Sequence, residues 1–215
     1  MGLDVASALS IHYCMFGSRL LTAADHTGHP WRIHVITKDF RLLDVWALPT
    51  PGGPDDFAQL VRLMRSFDPG RSPSIVVRGL FAIRFALGRL LGLDRQQTGL
   101  GARVETLRDR LPADLAGTAT DLGLGADPFV PLYLTEDEFA LEIANQTMHG
   151  VLHVGWVPDG ADGYRGQIAV LVKPNGILGS TYMAAIAPFR YLAVYPLMLR
   201  DIGRQWQRSV LGAHR

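Results

Sequence analysis

The sequence predicts an α+β fold: a curved antiparallel β-sheet covered by a long C-terminal helix, with two helices inserted after the first strand. Three observations carry this. Residues 39–49, "DFRLLDVWALP", are rich in strand formers and stop at "TPGGP", after which the apolar spacing turns helical. From Phe129 to Pro174 the apolar period becomes two, as in strands with one buried face. After "KPNG" a stretch of about 32 residues is helix-like throughout.

The first inserted helix is expected over 54–67. Gly53 is a possible N-cap, Pro54 suits the first helical position, and Asp55 and Asp56 favour the positive end of the helix. Phe57, Leu60, Val61 and Met64 follow at i, i+3, i+4 and i+7. "DPG" stops this helix, and Ser72 and Pro73 start a second over 73–93. The second is apolar over most of its surface, with Arg71, Arg78 and Arg89 on one stripe. It reads as a packed helix whose arginines mark its wet side, with a membrane-surface helix as the alternative. Residues 95–128 form a long connection around "ETLRDRLPADL", in the manner of a lid or an insertion.

"EFALEI" alternates: Phe139, Leu141 and Ile143 share one face, Glu138, Ala140 and Glu142 the other. Thr135 and Glu138 also have capping-box spacing, but the following hairpins favour a strand. A two-residue loop at Asn145–Gln146 sets Ile143 opposite Met148, Leu141 opposite Gly150 and Phe139 opposite Leu152. It also sets Glu142 opposite His149 and Glu138 opposite His153. With Trp156 opposite Tyr164, the next hairpin pairs Leu152 with Ile168, Met148 with Val172 and His153 with Gln167. The apolar face then holds Phe139, Leu141, Ile143, Leu152, Val154, Trp156, Ile168, Val170 and Val172, and both histidines are expected outside, in water. They stand about 13 Å apart along a strand, too far to share a metal. His26, His29 and His34 form a second, loose cluster without a clear scaffold. No metal is assigned to either group.

Pro188 and Pro196 are expected to kink the closing helix. Its stripe runs through Leu178, Tyr182, Ile186, Phe189 and Ala193 before Pro196, and through Met198, Leu199, Ile202 and Trp206 after it. A curved sheet under an imperfect lid leaves a cavity. The candidate ligand-binding residues are Trp156, Tyr164, Ile168, Val170, Tyr182, Ile186, Phe189 and Arg190. Apolar walls with a few polar donors suit a small hydrophobic or aromatic molecule.

A net charge of +1 gives no basis for nucleic-acid binding. Cys14 is the only cysteine, which favours a reducing compartment and a cytoplasmic location. No apolar run is long enough for an integral membrane segment. There is no G-x-S-x-G elbow, no P-loop, and no G-x-G-x-x-G opening a helix, so no catalytic residue and no cofactor is assigned. Residues 1–28 are expected to be a poorly ordered extension of which 1–25 are removable, 29–208 a single domain, and 209–215 a tail.

"DVWALPTPGGPDDF", "LYLTEDEFALEIANQTMHGVLHVGW" and "YRGQIAVLVKPNGILGSTYMAAIAPFR" resemble an actinobacterial branch of the bacterial family called domain of unknown function 2867, over about residues 30–207. Many relatives end the last motif in Pro-Phe-His; here it ends Pro188, Phe189, Arg190. The resemblance implies a START-like (SRPBCC) helix-grip fold, in which a C-terminal helix closes a sheet over a hydrophobic cavity. It also implies a link to epimerase-like dehydrogenases. It transfers no activity and no catalytic residue.

The leading functional expectation is a carrier or sensor of a small hydrophobic or aromatic ligand. A polyketide-cyclase-like enzyme using Tyr164, Tyr182 and Arg190 in the same cavity is the alternative. A third is a peripheral membrane or partner-binding protein acting through the 73–93 helix.

Overall fold

The computed structural model describes residues 19–66, 100, 104–118, 129–145, 147–160, 163–176, 187 and 190–213. The expected 73–93 helix lies outside them. Ten elements follow in order: β1 (Arg19–Leu20), α1 (Ala23–Thr27), α2 (Ile33–Ile36), β2 (Arg41–Ala47), α3 (Phe57–Ser66), β3 (Val130–Leu134), β4 (Glu138–Ala144), β5 (Met148–Asp159), β6 (Gly163–Pro174) and α4 (Tyr195–Ala213). The strands form one six-stranded antiparallel sheet in the order β1-β2-β6-β5-β4-β3.

Local chemistry starts α3 as expected. Asp56 accepts a 2.7 Å hydrogen bond from the Gly53 N–H, and Pro54 opens a 3₁₀ turn over Pro54–Asp56 that runs into the helix. Phe57, Leu60 and Val61 are buried against the sheet. At the other end of the chain Pro196 has no N–H for the carbonyl four residues back. The backbone takes a wider π turn over Arg190–Val194 before α4 continues. Leu199, Ile202 and Trp206 then face the sheet, beside α3.

This helix face is packed with aromatic rings. Trp46, Phe139, Trp156 and Trp206 are all buried there, the last two with ring centroids 5.9 Å apart. Two of these indoles also pin the "TPGGP" loop: Trp206 Nε1 donates to Pro51 O and Trp156 Nε1 to Gly53 O, both at 3.0 Å. Filling such positions is worth several kcal/mol each, about 3–5 for a Trp-to-Ala truncation.

The opposite face is covered too, against expectation. Ala140, Val151, Ala169, Leu171 and Val45 are buried there under Trp31, Ile33 and Ile36 from the N-terminal segment and Leu107 and Leu115 from the 104–118 segment. Arg108 reaches past Leu107 to the sheet edge and gives Nε and Nη2 hydrogen bonds to Pro131 O, at 3.0 and 2.7 Å. Gly155 is what lets Trp31 lie flat on β5: a Cβ there would come within 2.6 Å of the indole. The "ETLRDRLPADL" stretch is therefore part of the core lining and not a loose connection.

Residues 19–28, expected to belong to a dispensable extension, supply β1 and α1. β1 pairs Arg19 with Ala47 and Leu20 with Trp46, and Gln167 Nε2 donates to Asp25 O. Removing residues 1–25 would take these contacts away. Likewise the expected tail from 209 is helical through Ala213.

Both hairpins are slipped by two residues from the expected register. Glu138 pairs with Gly155 and Ala144 with His149, and Trp156 pairs with Gly166 and Leu152 with Val170. A slip of two keeps every side chain on its expected face. Its cause at the first turn is Asn145, whose Oδ1 accepts from Thr147 N, Thr147 Oγ1 and Met148 N and so closes a longer loop. No helix among the described residues is long and apolar enough to cross a membrane.

Candidate functional site

His149 and His153 are buried, which overturns the expectation that they face water. The expected partners are right: His149 Nε2 lies 3.1 Å from Glu142 Oε2, and His153 Nε2 lies 2.7 Å from Glu138 Oε2. Each pair is diagonal across β4 and β5, because of the register slip. Their burial follows from the two covering segments. Leu107 N donates to Glu142 Oε2 at 3.0 Å, Thr106 Oγ1 donates to Glu142 Oε1, and Arg32 N donates to Glu138 Oε1 at 2.7 Å.

Glu138 also accepts from the Tyr133 hydroxyl at 2.8 Å. Burial works to raise its pKa, but His153, the Arg32 N–H and the phenol together hold it below the ordinary value. Burial pushes His153 down, against the pull of Glu138. The pair is thus a carboxylate accepting from a neutral imidazole. Tyr133 is pushed far up by burial beside Glu138. On its other side His153 Nδ1 lies 3.1 Å from His26 Nε2, so the chain of hydrogen bonds continues through a second imidazole. His26 Nδ1 is buried without a partner. Both oxygens of Glu138 are committed to donors of this row.

Near the β3–β4 turn a cleft of about 670 Å³ is lined by Trp31, Arg32, Asp114, Glu138, Trp156 and Tyr164, among others. Some of its polar groups are spoken for: Arg32 pairs with Asp114, Glu138 has three donors, and the Trp156 indole serves Gly53, while Trp31 Nε1 and Arg32 Nε are buried without a partner. Among the described residues no three His, Cys, Asp or Glu side chains are grouped to hold a metal ion.

The helix face carries a different polar cluster. Asp44 sits on β2 in phase with Trp46, on the face that is otherwise apolar, and is buried. Its Oδ2 accepts from Arg190 Nη2 at 2.8 Å and from the Tyr195 hydroxyl at 2.7 Å, and its Oδ1 accepts from the Tyr191 hydroxyl. The π turn places Arg190 and Tyr191 on this one carboxylate, and the first residue of α4 adds Tyr195. The Arg190 guanidinium also lies 5.7 Å and 6.0 Å from the two phenol rings. Burial raises the Asp44 pKa, opposed by Arg190 and the Tyr195 hydroxyl. Burial next to Asp44 also raises that of Tyr195.

Beside Asp44 the register continues Val170, Leu152, Leu141 across the sheet. Val170 and Leu152 are at strand centres, yet only partly buried. That leaves an apolar floor next to a buried polar anchor. Farther along, Gly150 faces Ile143 and not Leu141, and a Cβ there would touch Met148 Sδ at 3.1 Å, so that end is filled.

Of the residues predicted from sequence, Val170 and Arg190 meet at this cluster. Trp156 and Ile168 belong to the packed core, and Tyr164 is partly buried, bridged through its backbone to Gly52. Tyr182, Ile186 and Phe189 lie outside the described residues. Asp44, Tyr191 and Tyr195 were missed. The available signal was an aspartate two residues from a tryptophan in a β-run, which places a carboxylate on the apolar face.

One antiparallel sheet with a C-terminal helix and a few shorter ones defines an α+β protein. The chain belongs to the family described as "Protein of unknown function (DUF2867)", whose model matches residues 36–197. No curated protein and no solved structure matches it. The matched span contains Asp44, Glu138, His153 and Arg190, and leaves out His26 and His34.

Proposed function

We propose that the protein binds a small, largely hydrophobic or aromatic ligand on the helix face of the sheet, as a carrier or sensor. Val170 and Leu152 form the floor in this reading, and Asp44 with Arg190, Tyr191 and Tyr195 forms the polar end. The observation that carries it is the buried carboxylate beside apolar strand-centre side chains that stay partly uncovered. Apolar walls with a few convergent polar groups are the usual make-up of a small-molecule site. The helix-grip arrangement that the family resemblance implies is part of the same reading.

Native mass spectrometry of freshly purified protein, followed by titration with the dye 1-anilinonaphthalene-8-sulfonate, tests it. Val170→Trp fills the floor and is expected to weaken dye uptake roughly tenfold or more, a loss of about 1.4 kcal/mol. A bare polypeptide mass, with dye binding indifferent to a folded Val170→Trp, would sink the proposal.

A second reading, an acid–base enzyme of the polyketide-cyclase type, is favoured by one feature. A carboxylate with a raised pKa lies against two phenols on an apolar floor. In that reading Asp44 moves the proton while Arg190 and Tyr195 hold it in place. Turnover lost in Asp44→Asn with dye uptake retained would select it.

A further inference from the structure

The chain has 7 histidines, and five of them, His26, His29, His34, His149 and His153, lie on or beside the second face of the sheet. The helix-face core contains none among the described residues. His26 is the innermost of the N-terminal group. It is fully buried, its ring is 5.0 Å from that of His153 and 4.9 Å from that of His34, and both approaches are edge-on.

We propose that the His26–His153 contact is an acid-labile latch that holds residues 19–37 on the sheet, and that mild acid releases this segment before the rest of the domain opens.

The tautomers follow from the anchor. Glu138 is ionised, so His153 carries its proton on Nε2, toward the carboxylate, and presents Nδ1 as an acceptor. His26 then donates from Nε2 and keeps Nδ1 bare. A further proton can go only to that Nδ1, where no acceptor faces it. The groups around it are His153 on β5, His34 on α2 and His29 in the intervening turn, with Trp31 packed nearby. Glu138 is one ring farther away, engaged by Tyr133, Arg32 N and His153. On the β6 side Gln167 holds Asp25 O, and Arg165 acts on the charge of Asp25. None of these offers a carboxylate to a protonated His26. Burial and the neighbouring histidines accordingly hold its pKa down to about 3.

Trp31, Ile33 and Ile36 seat the segment on the sheet, and its polar fastenings are few. β1 contributes two paired residues, Arg32 N bonds Glu138, Gln167 bonds Asp25 O, and the Arg32–Asp114 pair is largely exposed. Once the segment lifts, His26 titrates near the ordinary value of about 6.5. Protons then favour the open form by linkage, by about 25-fold for one histidine between pH 7 and pH 5.

Hydrogen exchange followed by mass spectrometry, corrected for the intrinsic exchange rate, reads this directly. From pH 7 to pH 5 the opening constant of peptides within 19–37 is expected to rise about 25-fold or more. That of peptides within 195–213 should change by less than about threefold. His26→Phe and His26→Gln are each expected to cut the pH response of 19–37 by an order of magnitude. The wild-type comparison stands even if neither variant folds. Parallel opening of both regions at pH 5, or an unchanged response in a folded His26 variant, would overturn the latch.

Discussion

On the helix face of the sheet one carboxylate, Asp44, is buried against a guanidinium and two phenols. On the opposite face two carboxylates, Glu138 and Glu142, are buried against two histidines, two hydroxyls and two backbone N–H groups, with His26 behind His153. Burial pushes the Asp44 pKa up and wins. At Glu138 burial pushes the same way but loses to His153, a backbone N–H and a phenol. The difference teaches that depth alone does not decide whether a buried acid is charged. The partners decide, and here they give the two faces opposite responses to acid. Asp44 binds a proton more readily in the folded chain than in the unfolded one. Its contribution is therefore complete below the unfolded value of about 4 and is lost as pH rises through the raised folded pKa. His26 works in the other sense: its contribution is complete above about 6.5 and is lost as pH falls toward about 3.

The largest test of this contrast is Glu138→Ala, which strands His153, Tyr133 and the Arg32 N–H. Urea unfolding should show a loss of about 3–5 kcal/mol, and a double change to Glu138→Met with His153→Leu should recover only the part owed to His153, because the Tyr133 hydroxyl and the Arg32 N–H stay stranded. Trp206→Ala on the helix face should cost a similar amount, but as a cavity, with no partner change to recover it. A Glu138→Ala cost under about 1 kcal/mol would erase the distinction between the faces.

Next in size is the glycine contrast. Gly155→Ala drives a Cβ against the Trp31 indole and should destabilise by about 1–3 kcal/mol. Gly150→Ala meets the end of flexible Met148 at 3.1 Å and Ile143 at 3.4 Å, an ordinary contact, and should cost well under that. Equal costs at the two glycines would mean that Trp31 is not seated on β5.

Smaller again is the pH effect of Asp44→Asn. Stability of the wild type should fall, relative to this variant, as pH rises from about 4, by no more than about 1.4 kcal/mol per pH unit. Parallel stability curves from pH 4 to 8 would argue against a raised Asp44 pKa. Asp39→Ala should matter least, less than about 1 kcal/mol in thermal unfolding, because its pairs with Lys173 and Arg110 are exposed and screened.

Much of the helix face was legible in the sequence. The α3 stripe from Phe57 to Val61 and the α4 stripe of Leu199, Ile202 and Trp206 follow from helical spacing. The face assignment of Phe139, Leu141, Val154 and Ile168 follows from alternation. The other face was misread because Glu138, Glu142, His149 and His153 carry the polarity of a wetted surface. Ala140, Val151, Ala169 and Leu171 stand between them and were the contrary signal. What covers them, Trp31 and Ile33 on one side and Leu107 and Leu115 on the other, sits in short segments with no sustained periodicity. No pattern of period two or 3.6 announces such contacts. The Asp44 cluster was half legible: Arg190 was singled out, but its carboxylate lies 146 residues earlier, and only the folded sheet brings the two together.

The outer rim of β3 has one more consequence. A strand at the border of a sheet is a template on which a foreign chain can add by backbone pairing. Pro131 withholds a donor at that border, a bulge between Pro131 and Tyr133 breaks its regular spacing, and the guanidinium of Arg108 occupies the Pro131 carbonyl with two N–H groups. A cation thus stands where an incoming strand would have to donate. The segment that buries the histidines also keeps this border from seeding aggregation, and a chain with Arg108→Ala should precipitate sooner at high concentration than its folding stability would suggest.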